Sequence, residues 1–180
     1  MEIPIIRTDK IMMRPFEDTD LEQVFNGLSN PDVIRYYGVS YDSLEACKEQ
    51  MQWYKQLQEN NTGAWWAICS LDNKVFYGAS GISGYSKQHH KAEIGYWLLP
   101  EFWGRGIITT AAALVCLYAF ELFALHRIEA IIEPQNASSK KVMHKLGFQY
   151  EGTMRDAEIK NGQYIDLEMY SKLITDTNGR

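Results

Sequence analysis

The stretch that decides the fold covers residues 100–120 and reads PEFWGRGIITTAAALVCLYAF. It follows an apolar run, residues 94–99, that is typical of a strand, and it opens with a bend around Gly104 and Gly106 that leads directly into a predicted helix. A strand, a glycine bend and a helix start present free backbone N–H groups at the positive end of the helix, which favours anion binding. Because such bends are common, the pattern alone leaves open a plain helix start.

Length and composition indicate one folded domain, residues 1–180, with a core of its own. The chain is 46% hydrophobic and 23% charged, which is ordinary for a folded protein. Its net charge of −5 argues against a nucleic-acid partner bound through a basic face. Cys47, Cys69 and Cys116 are widely spaced, so we expect reduced core cysteines and a cytoplasmic location. The first ten residues mix acidic and basic side chains, and no secretory signal is expected there.

The sequence favours neither a membrane protein nor a metalloprotein. Residues 107–125 approach the length of a membrane-spanning helix, but two threonines and Glu121 interrupt the apolar run, so no membrane insertion is expected. The four histidines form no ligand cluster, and the adjacent His89 and His90 lie in a polar loop. We therefore expect no metal.

The order of helical and strand patterns predicts a mixed α/β fold of the α+β type, with a mostly antiparallel sheet and helices on its faces. Helices are predicted after Asp18 or Thr19, after Asn30, from Asp42-Ser43 towards Asn60, and from Asn136 to a stop at Gly147. The strand patterns cover residues 10–16, 64–70, 75–85, 91–99, 127–133, 148–159 and 164–173. Asn161-Gly162 between the last two predicts a tight hairpin.

Four segments together resemble the GNAT superfamily of N-acetyltransferases, and more narrowly its RimJ/RimL group, which acetylates the N-termini of ribosomal and other proteins. They read TDKIMMRPFEDTD, KAEIGYWLLPEFWGRGIITTA, EPQNASSKKVMHKLGFQYEG and RDAEIKNGQYID, and they span nearly the whole chain. The resemblance implies acetyl-CoA as donor, an amine as acceptor, and a monomer or homodimer. It also implies that the pantetheine arm lies between two splayed parallel strands, here residues 91–99 and 127–133.

The family's pyrophosphate loop usually reads Q/R-x-x-G-x-G/A. In this chain Trp103 stands in place of the polar residue and Ile108 in place of the small one, while the backbone N–H groups that bind phosphate are retained. Arg105 is expected to add a cation. The backbone N–H of Leu98 or Leu99 is the expected oxyanion donor. The resemblance thus implies these cofactor contacts: Leu98, Leu99, Trp103, Gly104, Arg105, Gly106, Ile107, Ile108, Thr109, Asn136 and Ser139.

The reaction requires a neutral amine, a stabilised oxyanion and a proton for the leaving thiolate. Glu93 and Glu158 are the candidate general bases, and each has an equal alternative as a structural or solvated carboxylate. In the RimL-like pattern a serine after the capping asparagine acts with a glutamate ahead of the final hairpin turn. Ser139 and Glu158 occupy those places, which slightly favours Glu158 as base and makes Ser139 the candidate acid. Ser139 could equally serve only to satisfy the backbone at the helix start.

The acceptor decides how strong a base is needed. An α-amino group with a pKa of about 8 is about one-fifth neutral near pH 7.4, whereas a lysine-type amine is neutral about one time in a thousand. The leading hypothesis is direct acetyl transfer to a protein N-terminus such as that of a ribosomal protein. The alternatives are a polyamine or aminoglycoside acceptor, and a silent acyl-CoA-binding module. The last stays open because Met143 stands where much of the superfamily has a proton-donating tyrosine.

Overall fold

The structure is a computed structural model that describes residues 3–177. Within those residues eight strands form one sheet, in the order β1-β2-β3-β4-β5-β6-β8-β7. The strands are β1 (Ile6–Arg7), β2 (Met12–Arg14), β3 (Ala64–Cys69), β4 (Phe76–Ser86), β5 (Lys91–Leu98), β6 (Arg127–Ile132), β7 (Gln149–Lys160) and β8 (Gln163–Leu173). The helices are α1 (Leu21–Leu28), α2 (Pro31–Ile34), α3 (Leu44–Glu59), α4 (Ile107–Leu122) and α5 (Ala137–Lys145). Neighbouring strands run antiparallel except β5 and β6, so the predicted mixed fold is confirmed.

The two faces of the sheet carry separate hydrophobic cores, and alternation along β3 shows how they are divided. Trp66 and Ile68 point to the face that α4 covers, whereas Trp65 and Ala67 point to the face covered by α1 and α3. A strand sends successive side chains to opposite faces, so a continuous apolar strand such as β3 feeds both cores. Burying each large apolar side chain contributes about 1.5–3 kcal/mol, so the cores hold the helices on the sheet.

Side-chain caps begin three of the helices at the residues that the sequence predicts. Asn30 accepts the N–H of Asp32 at 2.9 Å at the start of α2, and Ser43 accepts the N–H of Ala46 at 3.2 Å at the start of α3. Asn136 begins α5 in the same way. These oxygens satisfy N–H groups that have no partner within the helix.

The entry to α1 differs from the prediction that Asp18 or Thr19 caps it. A single 3-10 turn, Asp18–Asp20, precedes the helix, and neither residue forms the expected cap. Asp20 is buried and accepts from the guanidinium of Arg14 at 2.7 and 2.8 Å. This paired carboxylate joins the end of β2 to the helix start. The short strand β1 was not predicted, because two residues are too few to show an alternating pattern.

The feature that positions the site is the early separation of β5 from β6. The two strands pair only from Lys91 and Arg127 to Glu93 and Glu129. Beyond that point β5 keeps β4 as its partner and β6 keeps β8, so a gap opens between them. The splayed parallel pair expected from the resemblance is confirmed.

The glycine within β5 is explained by a side chain and not by a bulge. Gly95 pairs in regular register with Gly81 of β4, and a Cβ at Gly95 would lie 2.8 Å from the indole of Trp65. The Trp65 ring therefore lies across β4 and β5 on the face of α1 and α3.

The long apolar helix α4, on the other face of the sheet, has sixteen residues. Across residues 3–177, the helices fall short of the combined length and apolarity that crossing a membrane requires.

Candidate active site

A cleft of about 500 Å³ lies where β5 and β6 separate, a size that suits a small-molecule ligand. Its walls come from the segment around α2, the end of β5, the bend before α4, and α5. Most of the expected cofactor contacts line it: Leu98, Trp103, Gly104, Gly106, Ile107, Ile108, Thr109, Asn136 and Ser139. Leu99 and Arg105 are expected contacts that do not line it.

The bend before α4 is built for an anion. Gly104 and Gly106 have φ angles of 75° and 77°, a left-handed conformation that glycine adopts without steric cost. Gly106 caps the helix without a side chain, and the first turn contains no acidic residue. Because the N–H of Thr110 donates to Gly106 O at 3.1 Å, the three N–H groups before it have no partner in the helix. The end of a long helix thus presents unpaired donors and a positive dipole to the cleft.

Trp103 has a structural role that explains its departure from the family pattern. Its Nε1 donates to the carbonyl of Leu98 at 2.9 Å, across the gap side of β5. This bond ties the bend to the end of the strand. The tie joins two residues at the start and end of the same loop, so no periodicity in the sequence indicates it.

Arg105, the expected phosphate cation, lies beside Phe102. Its guanidinium lies over the ring of Phe102, 5.4 Å from the centroid, and is outside the cleft lining. The cations that line the cleft are Arg35, Lys141 and Lys145. The two lysines are spaced i, i+4 and so share one face of α5, a signal that sequence reasoning overlooked.

Of the two expected oxyanion donors, only Leu98 remains available. The N–H of Leu99 donates to Tyr77 O at 2.9 Å and is therefore consumed in the sheet. Backbone groups of a strand alternate between its two edges, so the N–H of Leu98 faces the gap towards β6. Its carbonyl bond to Trp103 agrees with that direction.

Two hydroxyl groups lie together on the α5 side of the cleft. The Oδ1 of Asn136 accepts the N–H of Ser139 at 3.1 Å, which leaves the Asn136 NH₂ group free of the helix cap. Burial raises the pKa of Tyr96 to about 12, and the nearby Ser139 hydroxyl opposes that rise. Tyr96 therefore remains protonated beside Ser139. Met143 is fully buried in the core, so the position of the family's tyrosine supplies no donor.

Tyr96 is a cleft residue that sequence reasoning missed. The signal was available, because Tyr96 lies two residues before Leu98 on the predicted strand and shares its face. Tyr96 thus brings a phenol to the cleft, whereas Met143 brings none.

Glu93 and Glu158 are brought together, although neither lines the cleft itself. Glu93 is an exposed residue, yet the protein around its carboxyl partly desolvates it and raises its pKa, and the charges of Glu129 and Glu158 raise the pKa further. Among residues 3–177, neither the Glu93 nor the Glu158 carboxylate has a hydrogen-bond or ion-pair partner. The charge of Glu93 also contributes to raising the pKa of Tyr37, whose main cause is burial, and Tyr37 does line the cleft.

The neighbouring carboxylates are held by cations. Glu129 accepts from Lys91 at 3.0 Å and from Arg127 at 2.8 Å, and these bonds lower its pKa against the opposing effect of burial. Glu133 is paired with Lys160. Glu129 and Glu133 are thus compensated, whereas Glu93 and Glu158 have no cation partner among the described residues, and neither does Asp32, which lines the cleft. Within the described part of the chain, no three acidic, histidine or cysteine side chains converge as metal ligands.

Residues 10–149 match the family described as "Acetyltransferase (GNAT) domain". The chain belongs to the GNAT acetyltransferase family. It is 34% identical to the uncharacterized N-acetyltransferase YoaA of Bacillus subtilis (strain 168) over 169 residues, covering 93% of this chain and 96% of that protein. It is 28% identical to the spermidine N(1)-acetyltransferase of Escherichia coli (strain K12) over 155 residues, covering 86% of this chain and 81% of that protein.

Solved GNAT structures share the fold over nearly the whole chain. RimL, a ribosomal L7/L12 alpha-N-protein acetyltransferase in complex with coenzyme A, superposes with a TM-score of 0.84 at 23% identity, covering 96% of this chain and 99% of that one. Membership of the GNAT family, together with the cleft, makes this protein an N-acetyltransferase that uses acetyl-CoA. The resemblance expected from the sequence is confirmed.

Proposed function

We propose that the protein transfers the acetyl group of acetyl-CoA to the N-terminal α-amine of a protein, such as a ribosomal protein. The observation that carries this choice is the charge around Glu129 and Glu133, on the side of the cleft where we place the acceptor. A polyamine enzyme calls for a strongly acidic pocket, yet here Lys91 and Arg127 compensate Glu129, and Lys160 compensates Glu133. An α-amine needs less charge stabilisation, because a substantial fraction is neutral near pH 7.

The donor would be held by the cofactor side of the cleft. The N-terminus of α4 would receive the pyrophosphate, with Lys141 and Lys145 supplying positive charge. The pantetheine arm would enter the gap between β5 and β6, where Asn136 offers its amide. The N–H of Leu98 would donate to the thioester oxygen as negative charge develops there.

The proton steps involve Glu93 and Glu158, which lie outside the cleft lining, and Tyr96 and Ser139, which line it. We assign Glu93 as the general base, with Glu158 as the neighbouring charge that raises its pKa. The amine nitrogen attacks the thioester carbon, its proton passes to Glu93, and the C–S bond breaks. The leaving thiolate takes a proton from Ser139, and the neighbouring Tyr96 returns a proton to the Ser139 oxygen. Solvent then reprotonates Tyr96 and takes up the proton held by Glu93. No covalent enzyme intermediate is needed.

A small cationic amine is the second candidate acceptor. It is favoured by Glu93 and Glu158, which lack cation partners among the described residues, and by the resemblance to a spermidine acetyltransferase. Such an acceptor would use these two carboxylates to bind one ammonium and deprotonate another. It would place a heavier demand on the base, because its amines are more basic.

The experiment is thiol release from acetyl-CoA with a panel of N-terminal peptides, spermidine and an aminoglycoside. We expect kcat/KM to be highest for a peptide and to fall when its N-terminus is blocked. A higher kcat/KM for spermidine would reverse the assignment of the acceptor. Tight acetyl-CoA binding with no turnover of any amine would instead favour a silent binding module.

We also propose a cytoplasmic location and a monomeric or homodimeric state. Cys47, Cys69 and Cys116 are buried and unpaired, which suits a reducing compartment. Cell fractionation and the native mass in solution test these two points.

A further inference from the structure

We propose that Lys160 excludes polycationic acceptors, because its ammonium occupies an ammonium-binding site made by the protein itself. This inference rests on the proposed transfer to α-amines and names the residue that sets that preference. Three groups meet at the Lys160 Nζ: the carboxylate of Glu133, the carbonyl of Arg35 and the ring of Tyr36.

The contacts draw together three distant parts of the chain. Lys160 is the last residue of β7, next to the hairpin turn, and its Nζ donates to Arg35 O at 2.5 Å. It also donates to Oε1 of Glu133, which directly follows β6, and lies 5.7 Å from the centroid of the Tyr36 ring. Arg35 and Tyr36 line the cleft, so Lys160 and Glu133 border it through these two residues, although they lie outside its lining.

The three partners are the chemistry by which proteins bind an alkylammonium ion. A carboxylate supplies charge, a carbonyl accepts an N–H, and an aromatic face attracts the cation. The Glu133 side chain is only 15% exposed, so without a cation its carboxylate would be largely desolvated and unpaired. Lys160 removes that penalty, because its own ammonium pairs with Glu133. The second ammonium of a polyamine therefore has no unpaired carboxylate to bind at this position.

The same lysine also repels a polycation directly. Like charges placed next to each other at a binding surface repel, so an incoming diamine meets both an occupied site and a fixed positive charge. A peptide N-terminus carries its amine without a second ammonium at fixed spacing, and so avoids this penalty. Lys160 is thus a specificity-determining residue, while the reaction itself depends on other side chains.

The test compares Lys160→Met with the wild-type enzyme. We expect the ratio of kcat/KM for spermidine to kcat/KM for an α-amine peptide to rise at least about tenfold, because Glu133 becomes free to bind an ammonium. The KM for acetyl-CoA should not change. Lys160→Arg retains the cation and should keep the wild-type ratio. Lys55→Met removes one partner of a Lys–Glu pair on α3, outside the cleft lining, and serves as the matched control.

A double variant separates charge from fold. Lys160→Met with Glu133→Gln removes both members of the pair, and we expect its ratio to stay near that of the wild type. An unchanged ratio in Lys160→Met, or an equal rise in the double variant, would overturn the proposal. If Lys160→Met does not fold, Glu133→Gln alone carries the test, since the uncompensated Lys160 should weaken spermidine use about threefold or more; no decrease would count against the proposal.

A measurement of spermidine binding separates the test of Lys160 from the test of which amine is acetylated. Calorimetry on the enzyme saturated with coenzyme A should show tighter spermidine binding to Lys160→Met than to wild type, whichever amine is acetylated. Absence of peptide acetylation would defeat the proposed function while leaving this binding difference to be observed. Equal spermidine affinities would defeat the role of Lys160 while leaving peptide acetylation intact.

Discussion

Glu93 is the residue at which activity and stability should oppose each other. Its folded-state pKa is raised, so its ionised form is disfavoured by the fold. Below the pKa that Glu93 has in the unfolded chain, the side chain is protonated in both states and the stability of the fold is fully present. As pH rises through the folded-state pKa, the disfavoured charge forms and that stability is lost. The same ionised form is the one that accepts a proton from the amine. The base is therefore active where it destabilises the protein.

We predict that Glu93→Gln lowers kcat/KM by about 10²-fold or more, the usual contribution of a general base. The Tm of the variant minus the Tm of the wild type should increase as the pH is raised from about 4 to 8, because the unfavourable charge is absent from the variant. Rates across that pH range and thermal unfolding at both ends check this. If Glu93→Gln retains its rate while Glu158→Gln loses it, Glu158 is the base.

Trp65 and Trp66 offer a second comparison between single residues. Both indoles are buried, but Trp66 Nε1 donates to Pro4 O at 2.9 Å, whereas Trp65 Nε1 has no partner among the described residues. A buried donor without a partner costs about 1–3 kcal/mol, while a satisfied one contributes about 1 kcal/mol. Replacement by phenylalanine therefore removes a cost at one position and a bond at the other.

We predict that Trp66→Phe destabilises the protein by about 1–2 kcal/mol more than Trp65→Phe does. The loss of ring volume is the same in both variants, so the difference reports the hydrogen bonds. Urea unfolding of the two variants measures it. Equal free energies of unfolding would show that Trp65 Nε1 gains a partner that compensates its burial.

At the level of elements, the bend before α4 depends on backbone conformation more than on side chains. Gly106 has a φ of 77° and no heavy atom within 4 Å of a built Cβ, so alanine would fit but would strain the backbone. Gly84 in β4 has the same properties, with a φ of 65°, and lies outside the cleft lining. The two glycines form a matched pair in which only one supports the anion site.

We predict that Gly106→Ala and Gly84→Ala each cost about 1 kcal/mol of stability, from the left-handed conformation. Only Gly106→Ala should also raise the KM for acetyl-CoA, by about fivefold or more, because the N–H groups of the first turn shift away from the pyrophosphate. Steady-state kinetics and urea unfolding of both variants check this. An unchanged KM in Gly106→Ala would show that the bend does not bind the donor.

At the level of the whole molecule, local patterns predicted more of the fold than of the site. Helix caps and tight turns depend on a few neighbouring residues and can therefore be predicted from the sequence. Those predicted here are the caps at Asn30, Ser43 and Asn136 and the turn at Asn161-Gly162. The gap between β5 and β6 came from resemblance, because strand order is a long-range property. The ties that complete the site, such as Lys160 to Arg35 across 125 residues, join segments with no shared periodicity. Such contacts need the folded structure to be found.

The gap also divides the sheet into two parts, β1–β5 and β6–β8, joined by a short parallel pairing. The bend and α4 follow β5, whereas α5 follows β6, and all of them line the cleft. A ligand in the cleft therefore contacts both parts. Binding of acetyl-CoA should stabilise the domain as one unit.

We predict that coenzyme A at 100 times its Kd adds about 2.7 kcal/mol to the free energy of unfolding, in a single transition. The gain at that fixed concentration should fall in the double variant Lys141→Met and Lys145→Met, because the variant binds coenzyme A less tightly, and should persist in Lys55→Met. Hydrogen exchange should show protection in both α4 and α5. Protection confined to α4 would mean that the ligand contacts only the part of the sheet that ends at β5, and that the lysines of α5 do not bind the donor.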